Sequence, residues 1–208
     1  MPAELLNRIV DIARKLGLPV AVHASTLSSS KNTAQAKARS LEHGFEVNKE
    51  LLQSIAQQQN FFVPTGIDLE TCQKMQVYNH DPLYKSCPKY LKDFAERLMT
   101  AHKAKVMIAF GSDMYMVMKK KDRGINTLSI LFSYSEGGLS PSETLQSATS
   151  TAAKLLQRND LGVLQVGAKA DIVGFNGNPE KDIRSLKKIS FVMKNGHIFC
   201  RSEKSCKS

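Results

Sequence analysis

The sequence predicts an α/β fold with a parallel sheet, and two observations lead to this prediction. Through residue 158, short β-rich runs alternate four times with segments of helical periodicity, which is the pattern of βα units. After Gly162, glycines and a proline separate short β runs that have no helical segments between them. We therefore expect a parallel sheet flanked by helices, followed by a small antiparallel β unit.

The individual elements follow from periodicity and from the residues that end each run. A first helix is predicted over residues 2–16, because apolar side chains recur at helical spacing before Gly17; these are Leu5, Ile9, Ile12 and Leu16. Residues 66–87 and 114–124 show no clear period and are predicted as loops. Further helices are predicted at 33–37, 48–59, 88–104, 126–136 and 140–157, and strands at 18–23, 39–43, 61–63 and 106–110.

The predicted domains are residues 1–158, a small β segment at 159–200 and a basic tail at 201–208 that we expect to be disordered. The formal net charge is +10, and the residues after position 150 hold eleven bases and five acids. Only Phe191 and Phe199 accompany these bases near the chain end, whereas nucleic-acid surfaces interleave bases with aromatic rings. The sequence therefore favours a solvated basic surface over nucleic-acid binding.

No apolar run approaches the roughly 18 residues that span a bilayer, so no membrane partner is predicted. The first residues lack the basic-then-apolar order of a signal peptide, which makes the cytoplasm the default localisation. The four cysteines have neither C-x-x-C nor zinc-finger spacing. We expect free thiols in a reducing compartment and leave disulfides open; the cysteines are Cys72, Cys87, Cys200 and Cys206.

Polar residues with useful chemistry end the predicted strands, namely His23, His43, Thr65 and Asp113. The carboxyl edge of a parallel sheet is where α/β proteins place their active sites. Two imidazoles and a carboxylate suit a zinc ion, and a nearby carboxylate can accept a proton from metal-activated water. A single strand-end histidine is more often structural than a ligand, so the joint pattern carries this hypothesis.

Other polar residues are weaker candidates. His80 lies in a predicted loop, where a surface position is favoured over a substrate contact. His102 is expected near a helix carboxyl end and His197 beside a hairpin turn. The run Lys119–Lys121 could attract an anionic substrate, but a solvated charge run is the preferred interpretation.

Several segments resemble successive strands of the amidohydrolase superfamily, nearest to its imidazolonepropionase-like and Xaa-Pro dipeptidase-like branch. The strand-like segments are 17–24, 40–44, 61–65 and 109–113, and residues 161–173 resemble the family's tail signature with Asp171 at its acidic position. The resemblance implies a metal-dependent TIM (β/α)₈ barrel with a small β-sandwich domain. It further implies that His23 and His43 are metal ligands and that Asp113 binds metal and carries the proton of the attacking water.

The chain also departs from the family pattern. It has no H-x-H pair, whereas the family places one on its first strand and adds a bridging Lys or Glu in binuclear members. The resemblance thus covers the carboxyl-terminal half, with strands five to eight. A histidine that often follows the eighth-strand aspartate is missing from residues 114–124, so the substrate class stays open.

The resemblance implies hydrolysis of linear or cyclic amide C–N bonds in a small-molecule substrate, with one or two divalent metal ions, zinc by preference, in the complete enzyme. We expect the chain alone to be inactive. A missing amino-terminal half, or self-association through exposed sheet edges, is the expected partner. The alternative is a non-catalytic remnant or interaction protein that pairs through the exposed half-barrel.

Overall fold

A four-stranded parallel sheet organises residues 1–139 in this computed structural model, which describes residues 1–79, 84–114, 123–202 and 204–206. The strands pair in chain order, with Val22 opposite Leu41 and Phe62 opposite Ile108. Because the strands are parallel, their carboxyl ends meet at one edge. The strands are β1 (Ala21–Ala24), β2 (Ser40–His43), β3 (Phe61–Val63) and β4 (Met107–Ile108).

Helices cover one face of this sheet and form the main core with it. Leu41 and Phe62 from the sheet are fully buried against Leu52, Phe94 and Leu98 from the helices. The predicted mixed α/β fold with a parallel sheet is therefore confirmed. The helices are α1 (Ala3–Lys15), α2 (Leu27–Gln35), α3 (Lys49–Gln57), α4 (Leu69–Asn79), α5 (Cys87–Lys103) and α6 (Arg123–Glu136).

The predicted loop at residues 66–87 is wrong over much of its length, because α4 occupies it. Asp68 begins this helix by accepting a hydrogen bond from the Thr71 amide at 2.7 Å. Cys72 and Met75 are buried one turn apart, and Cys72 forms a disulfide with Cys87 at the start of α5. This apolar stripe is too narrow to show a helical period, and the disulfide fixes α4 through a cysteine that lies beyond the helix.

Helix α1 presents two apolar faces. Leu6 and Val10 are buried against Ala36 and Ala38, and they hold the helix on the sheet. The periodic stripe that predicts the helix faces outward instead; its members are Leu5, Ile9, Ile12 and Leu16, which are 48%, 37%, 55% and 68% exposed. Sequence periodicity thus identifies the helix but not the face that packs.

Residues 140–208 form the second unit, which contains the predicted small antiparallel sheet. The predicted helix at 140–157 is two helices, because the backbone breaks at Thr149 with φ −123° and ψ −95°. Both helices belong to this unit, which begins at Ser140, and the domain boundary at residue 158 stays a prediction. The elements are α7 (Pro141–Ala148), α8 (Ser150–Leu155), β5 (Ile172–Phe175), a 3₁₀ helix (Ile183–Lys187), β6 (Ile189–Lys194) and β7 (His197–Cys200).

Asp171, the acid of the tail signature, holds the turn between β6 and β7. Its Oδ1 accepts a hydrogen bond from the Asn195 amide at 2.8 Å, and its Oδ2 lies 2.5 Å from Lys194 Nζ. Asn195 and Gly196 both adopt the left-handed conformation that this turn requires. The hydrogen bond from Lys194, followed by that from Asn195, lowers the pKa of Asp171.

The cysteines are paired, contrary to the predicted free thiols. Besides Cys72–Cys87, a second disulfide joins Cys200 to Cys206. It ties the described part of the basic tail to the end of β7. Disulfides are typical of oxidising compartments, so they argue against the cytoplasmic default, which stays a prediction.

The described residues include no helix that is both long and apolar enough to cross a bilayer. Two predictions made from the sequence, the interpretations of His80 and of Lys119–Lys121, lie outside the described residues.

Candidate functional site

Two of the predicted site residues meet at the carboxyl ends of β1 and β2. The rings of His23 and His43 lie edge to face, with centroids 4.5 Å apart. The strand register explains this contact, because Ala24 pairs with His43 and so brings the two strand ends level. His23 is exposed and lies with Nε2 3.2 Å from Ser25 Oγ, whereas the His43 side chain is only 12% exposed.

Asp113 reaches the same place from the segment after β4. Its Oδ2 lies 3.9 Å from His43 Nε2, and 59% of its side chain is exposed. Gly111 lets this segment run close to β3, since a Cβ there would stand 2.7 Å from Val63 Cγ1. The structure therefore brings His23, His43 and Asp113 together.

Three strand-end residues share an uncommon backbone conformation. His43, Thr65 and Asp113 have φ values of 65°, 49° and 46°, in the left-handed region. Histidine and aspartate visit this region more often than most residues, but a β-branched threonine there is strained. Gly44 is also left-handed, and a Cβ there would stand 2.8 Å from side-chain atoms of Phe62 and Val47. Such strain concentrates at functional sites.

Thr65 differs from the other strand-end residues because it faces the protein interior. Its hydroxyl donates to the Val63 carbonyl at 3.3 Å, and its own carbonyl accepts from the Tyr90 hydroxyl at 3.4 Å. Thr65 is 8% exposed. It therefore fixes the end of β3 and does not join the cluster.

The surroundings of His43 favour the neutral imidazole. Burial lowers its pKa first and the neighbouring His23 lowers it further, while Asp113 acts in the opposite direction. A neutral imidazole keeps one ring nitrogen free as an acceptor or metal ligand. The neutral imidazole of His43 is therefore available to coordinate a metal ion.

Glu42 is a further acid near the site that the strand-end argument overlooks. It lies opposite His23 in the register of β1 and β2, and it accepts a hydrogen bond from the Ser40 hydroxyl. Burial, followed by a smaller contribution from Asp113, raises its pKa. One signal in the sequence could have identified Glu42: it is an acidic residue within a predicted strand of a parallel sheet, and both faces of such a sheet are usually apolar.

An aromatic ring packs against His43, and a buried cation packs against that ring. Phe45 stacks on His43 with centroids 5.6 Å apart, and the guanidinium of Arg97 lies 5.1 Å from the Phe45 ring. Arg97 comes from α5 and is 7% exposed. No motif in the sequence marks it, because only the fold brings α5 to the loop after β2.

The donor types fit a metal ion, but the arrangement in this chain is incomplete. Imidazole nitrogens and a carboxylate are suitable zinc ligands, and they lie in contact here. Over the described residues, however, no three or more His, Cys, Asp and Glu side chains form a group that could hold a metal ion. Further ligands from outside these residues would be needed to complete a site.

Comparison with known proteins agrees with the fold. Ochratoxinase from Aspergillus niger is 26% identical over 205 residues, which is 94% of this chain and 41% of that protein. The structure of a Xaa-Pro dipeptidase with bound methionine superimposes with a TM-score of 0.78 at 27% identity, over 96% of this chain and 49% of that one. A putative prolidase from Bifidobacterium longum gives 0.79 at 26% identity, over 97% and 52%.

The chain spans about half the length of these relatives. The sequence profile of the amidohydrolase family matches residues 1–199, which is nearly the whole chain. The expected relationship is therefore confirmed: this chain belongs to the amidohydrolase family.

Proposed function

We propose that this chain supplies two imidazoles and a carboxylate to a metal-dependent hydrolase that cleaves amide-type C–N bonds in a small-molecule substrate. In this proposal its parallel sheet corresponds to strands five to eight of the family barrel. Family membership supports the hydrolase class. The contacts of His43 with both His23 and Asp113, at the carboxyl edge of the sheet, are the observation that carries the proposal.

The roles follow from the chemistry of each group. His23 and His43 would hold a divalent metal, zinc by preference, through neutral ring nitrogens. When bound, the metal supplies a water of lowered pKa. Asp113 presents a solvent-accessible carboxylate beside His43, so its Oδ2 can accept the water proton and pass it to the leaving nitrogen.

The proposal includes that the site is completed by groups outside these 208 residues. The relatives are about twice as long, and the described residues lack a complete metal-binding group. Metal affinity depends on ligand number, so three donors from one side of a site would bind weakly. We expect little or no hydrolysis by this chain alone, even with added zinc.

Metal binding tests the ligand roles without relying on activity. We expect weak binding of Co²⁺ to the purified chain, followed by its visible absorption, and at least about a tenfold loss of affinity in His23→Ala and in His43→Ala. His197→Ala, which removes an exposed histidine of the second unit, is the matched control and should bind as the wild type does. Equal affinity in all four proteins would contradict the metal role.

Hydrolysis is then measured by mass spectrometry on a panel of N-acyl amino acids and dipeptides. The chain alone should release no more amine than its Asp113→Asn variant. In a longer protein that contains these residues, Asp113→Asn should abolish turnover. Vigorous zinc-dependent turnover by the 208-residue chain would show that the site is complete as it stands.

A second candidate function is a non-catalytic interaction protein, and α1 provides the observation that favours it. Its outward stripe is apolar, and in the described sheet β1 and β4 each have one edge without a partner strand. Such edges and stripes are typical of surfaces that another chain covers. A second copy of this chain is the occupant that sedimentation can test directly.

Sedimentation velocity over a range of protein concentrations should show a dimer or larger species. Ile12→Asp places a charge in the stripe and should shift the protein to a monomer. Asn7→Asp adds the same charge at an exposed polar position of α1 and is the control, which should associate as the wild type does. A wild-type monomer at every concentration would exclude self-association.

A further inference from the structure

A cavity of about 540 Å³ opens beside the candidate site, within the amino-terminal unit. Its size is in the range of small-molecule sites. Aromatic rings and charged side chains both contribute to its wall; the lining residues are Phe45, Lys85, Ser86, Lys89, Tyr90, Asp93 and Arg97. None of the groups proposed above as metal ligands belongs to this lining.

Arg97 is a buried cation that is compensated by the Phe45 and Phe94 rings and by more distant acidic groups, of which Asp93 is one, but by no carboxylate in direct contact within the described part of the chain. It is 7% exposed, and its Nη2 donates to the Pro64 carbonyl at 3.2 Å. Its Nε is buried with no hydrogen-bond partner, and no carboxylate of the described residues lies within 4.0 Å of the guanidinium. Since a buried charge without a counter-charge is costly, this arrangement favours an anion from outside the chain.

The other charges of the cavity reinforce this preference. Lys85 and Lys89 lie on its exposed side, and Asp93 forms an ion pair with Lys89. Asp93 therefore offsets the charge of one base, and the side chains that line the cavity keep a net positive charge. Phe45 and the buried Tyr90 add apolar walls, which suit a ligand with an apolar body.

We infer that this cavity is a binding site for a small carboxylate with an aromatic or apolar body, whose anionic group pairs with Arg97. A carboxylate can accept charge-assisted hydrogen bonds from the guanidinium of Arg97, which lines the cavity. The body of the ligand would lie against Phe45 and Tyr90.

Phe45 connects this cavity to the candidate site, because its ring stacks on His43. The cavity and the candidate site are therefore neighbours that share the Phe45 ring. That a substrate uses the cavity for its carboxylate rests on the proposed function. Binding of a carboxylate does not, because it requires no metal and no turnover.

The test is a calorimetric titration of the full chain in the presence of EDTA, with benzoate, benzamide and inorganic phosphate as probes. Benzoate and benzamide have the same ring and differ in charge. We expect benzoate to bind more tightly than both benzamide and phosphate. Arg97→Gln should weaken benzoate binding at least about tenfold, because it removes charge-assisted hydrogen bonds, and should leave benzamide unaffected.

Two further variants protect this test against misfolding of Arg97→Gln. Lys85→Gln combined with Lys89→Gln changes only exposed side chains of the lining, and should weaken benzoate binding about threefold at low salt and less at high salt. Lys92→Gln is the matched control, since Lys92 is 76% exposed and pairs with Glu96 outside the cavity. It should bind benzoate as the wild type does.

Three results would overturn the inference. Equal binding of benzoate and benzamide would show that charge plays no role, and tighter binding of phosphate would exclude a carboxylate site. Benzoate binding that is unchanged in both the Arg97 variant and the double lysine variant would place the ligand elsewhere. A failure of cobalt binding in the His23 and His43 experiment leaves these outcomes unaffected, so the two proposals fail separately.

Discussion

Removing the Cys72–Cys87 disulfide should lower the free energy of unfolding by about 3 kcal/mol. The bridge joins residues 15 apart in sequence, and the entropy of closing a loop of about this length in the unfolded chain corresponds to about 3 kcal/mol at 25 °C. The Cα atoms lie 5.8 Å apart, which is the usual spacing for a disulfide. Since both side chains are buried, alanine is a better replacement than serine, which would bury a hydroxyl.

The assay is urea unfolding of Cys72→Ala/Cys87→Ala followed by circular dichroism. The variant Cys200→Ala/Cys206→Ala is the comparison, because its bridge joins residues only 6 apart and the same entropy relation gives about 2 kcal/mol. Titration of the native wild-type protein with a thiol reagent should first find no free thiol. Free thiols in the wild type, or a smaller loss for the first pair than for the second, would refute the reasoning.

Two further predictions concern glycine packing and acid stability. Gly44→Ala should lower the free energy of unfolding by several kcal/mol, because the left-handed backbone is strained and the added Cβ clashes with its neighbours. Gly17 is also left-handed, but nothing lies within 4 Å of an added Cβ there. Gly17→Ala should therefore cost only about 1–2 kcal/mol. Equal losses in thermal unfolding would contradict this difference. The Lys194 hydrogen bond that lowers the pKa of Asp171 stabilises the fold above the unfolded pKa of about 3.9, and this contribution disappears as the pH falls through the lower folded value. The stability gap between wild type and Asp171→Asn should therefore shrink below about pH 4, and a gap that widened on acidification would reverse the sign of the argument.

The candidate site could be located from the sequence because parallel strands carry their chemistry at one edge. Residues that end β-rich runs are identifiable without a structure, and this selected His23, His43 and Asp113. The same argument selected Thr65, whose side chain instead bonds to its own strand. Position at a strand end is visible in the sequence, whereas the direction of the side chain depends on the backbone conformation that the fold imposes.

Features that depend on contacts distant in sequence could not be predicted. The apolar stripe of α1 identified a helix, but the side that packs is the one carrying Leu6 and Val10, since these meet the small residues after α2. The disulfides depend on which helix ends meet, and cysteine spacing alone does not specify that. Arg97 lies in an ordinary amphipathic helix, and only tertiary packing places it beneath Phe45.

Two exposed features of the amino-terminal unit bear on the two candidate functions. His23 and Asp113 are exposed although they meet the largely buried His43, and the outward stripe of α1 lies on the same unit. Groups that completed the ligand set would have to reach His23 and Asp113, whereas a partner that covered the stripe of α1 would remove apolar surface from water. The two candidate functions then differ in what they require. A hydrolase requires Asp113 but tolerates a modest change at Ile12, whereas an interaction protein requires Ile12 and is indifferent to Asp113. Variants at these two positions therefore separate the two functions, provided that association is measured on this chain and hydrolysis on a longer protein that contains these residues.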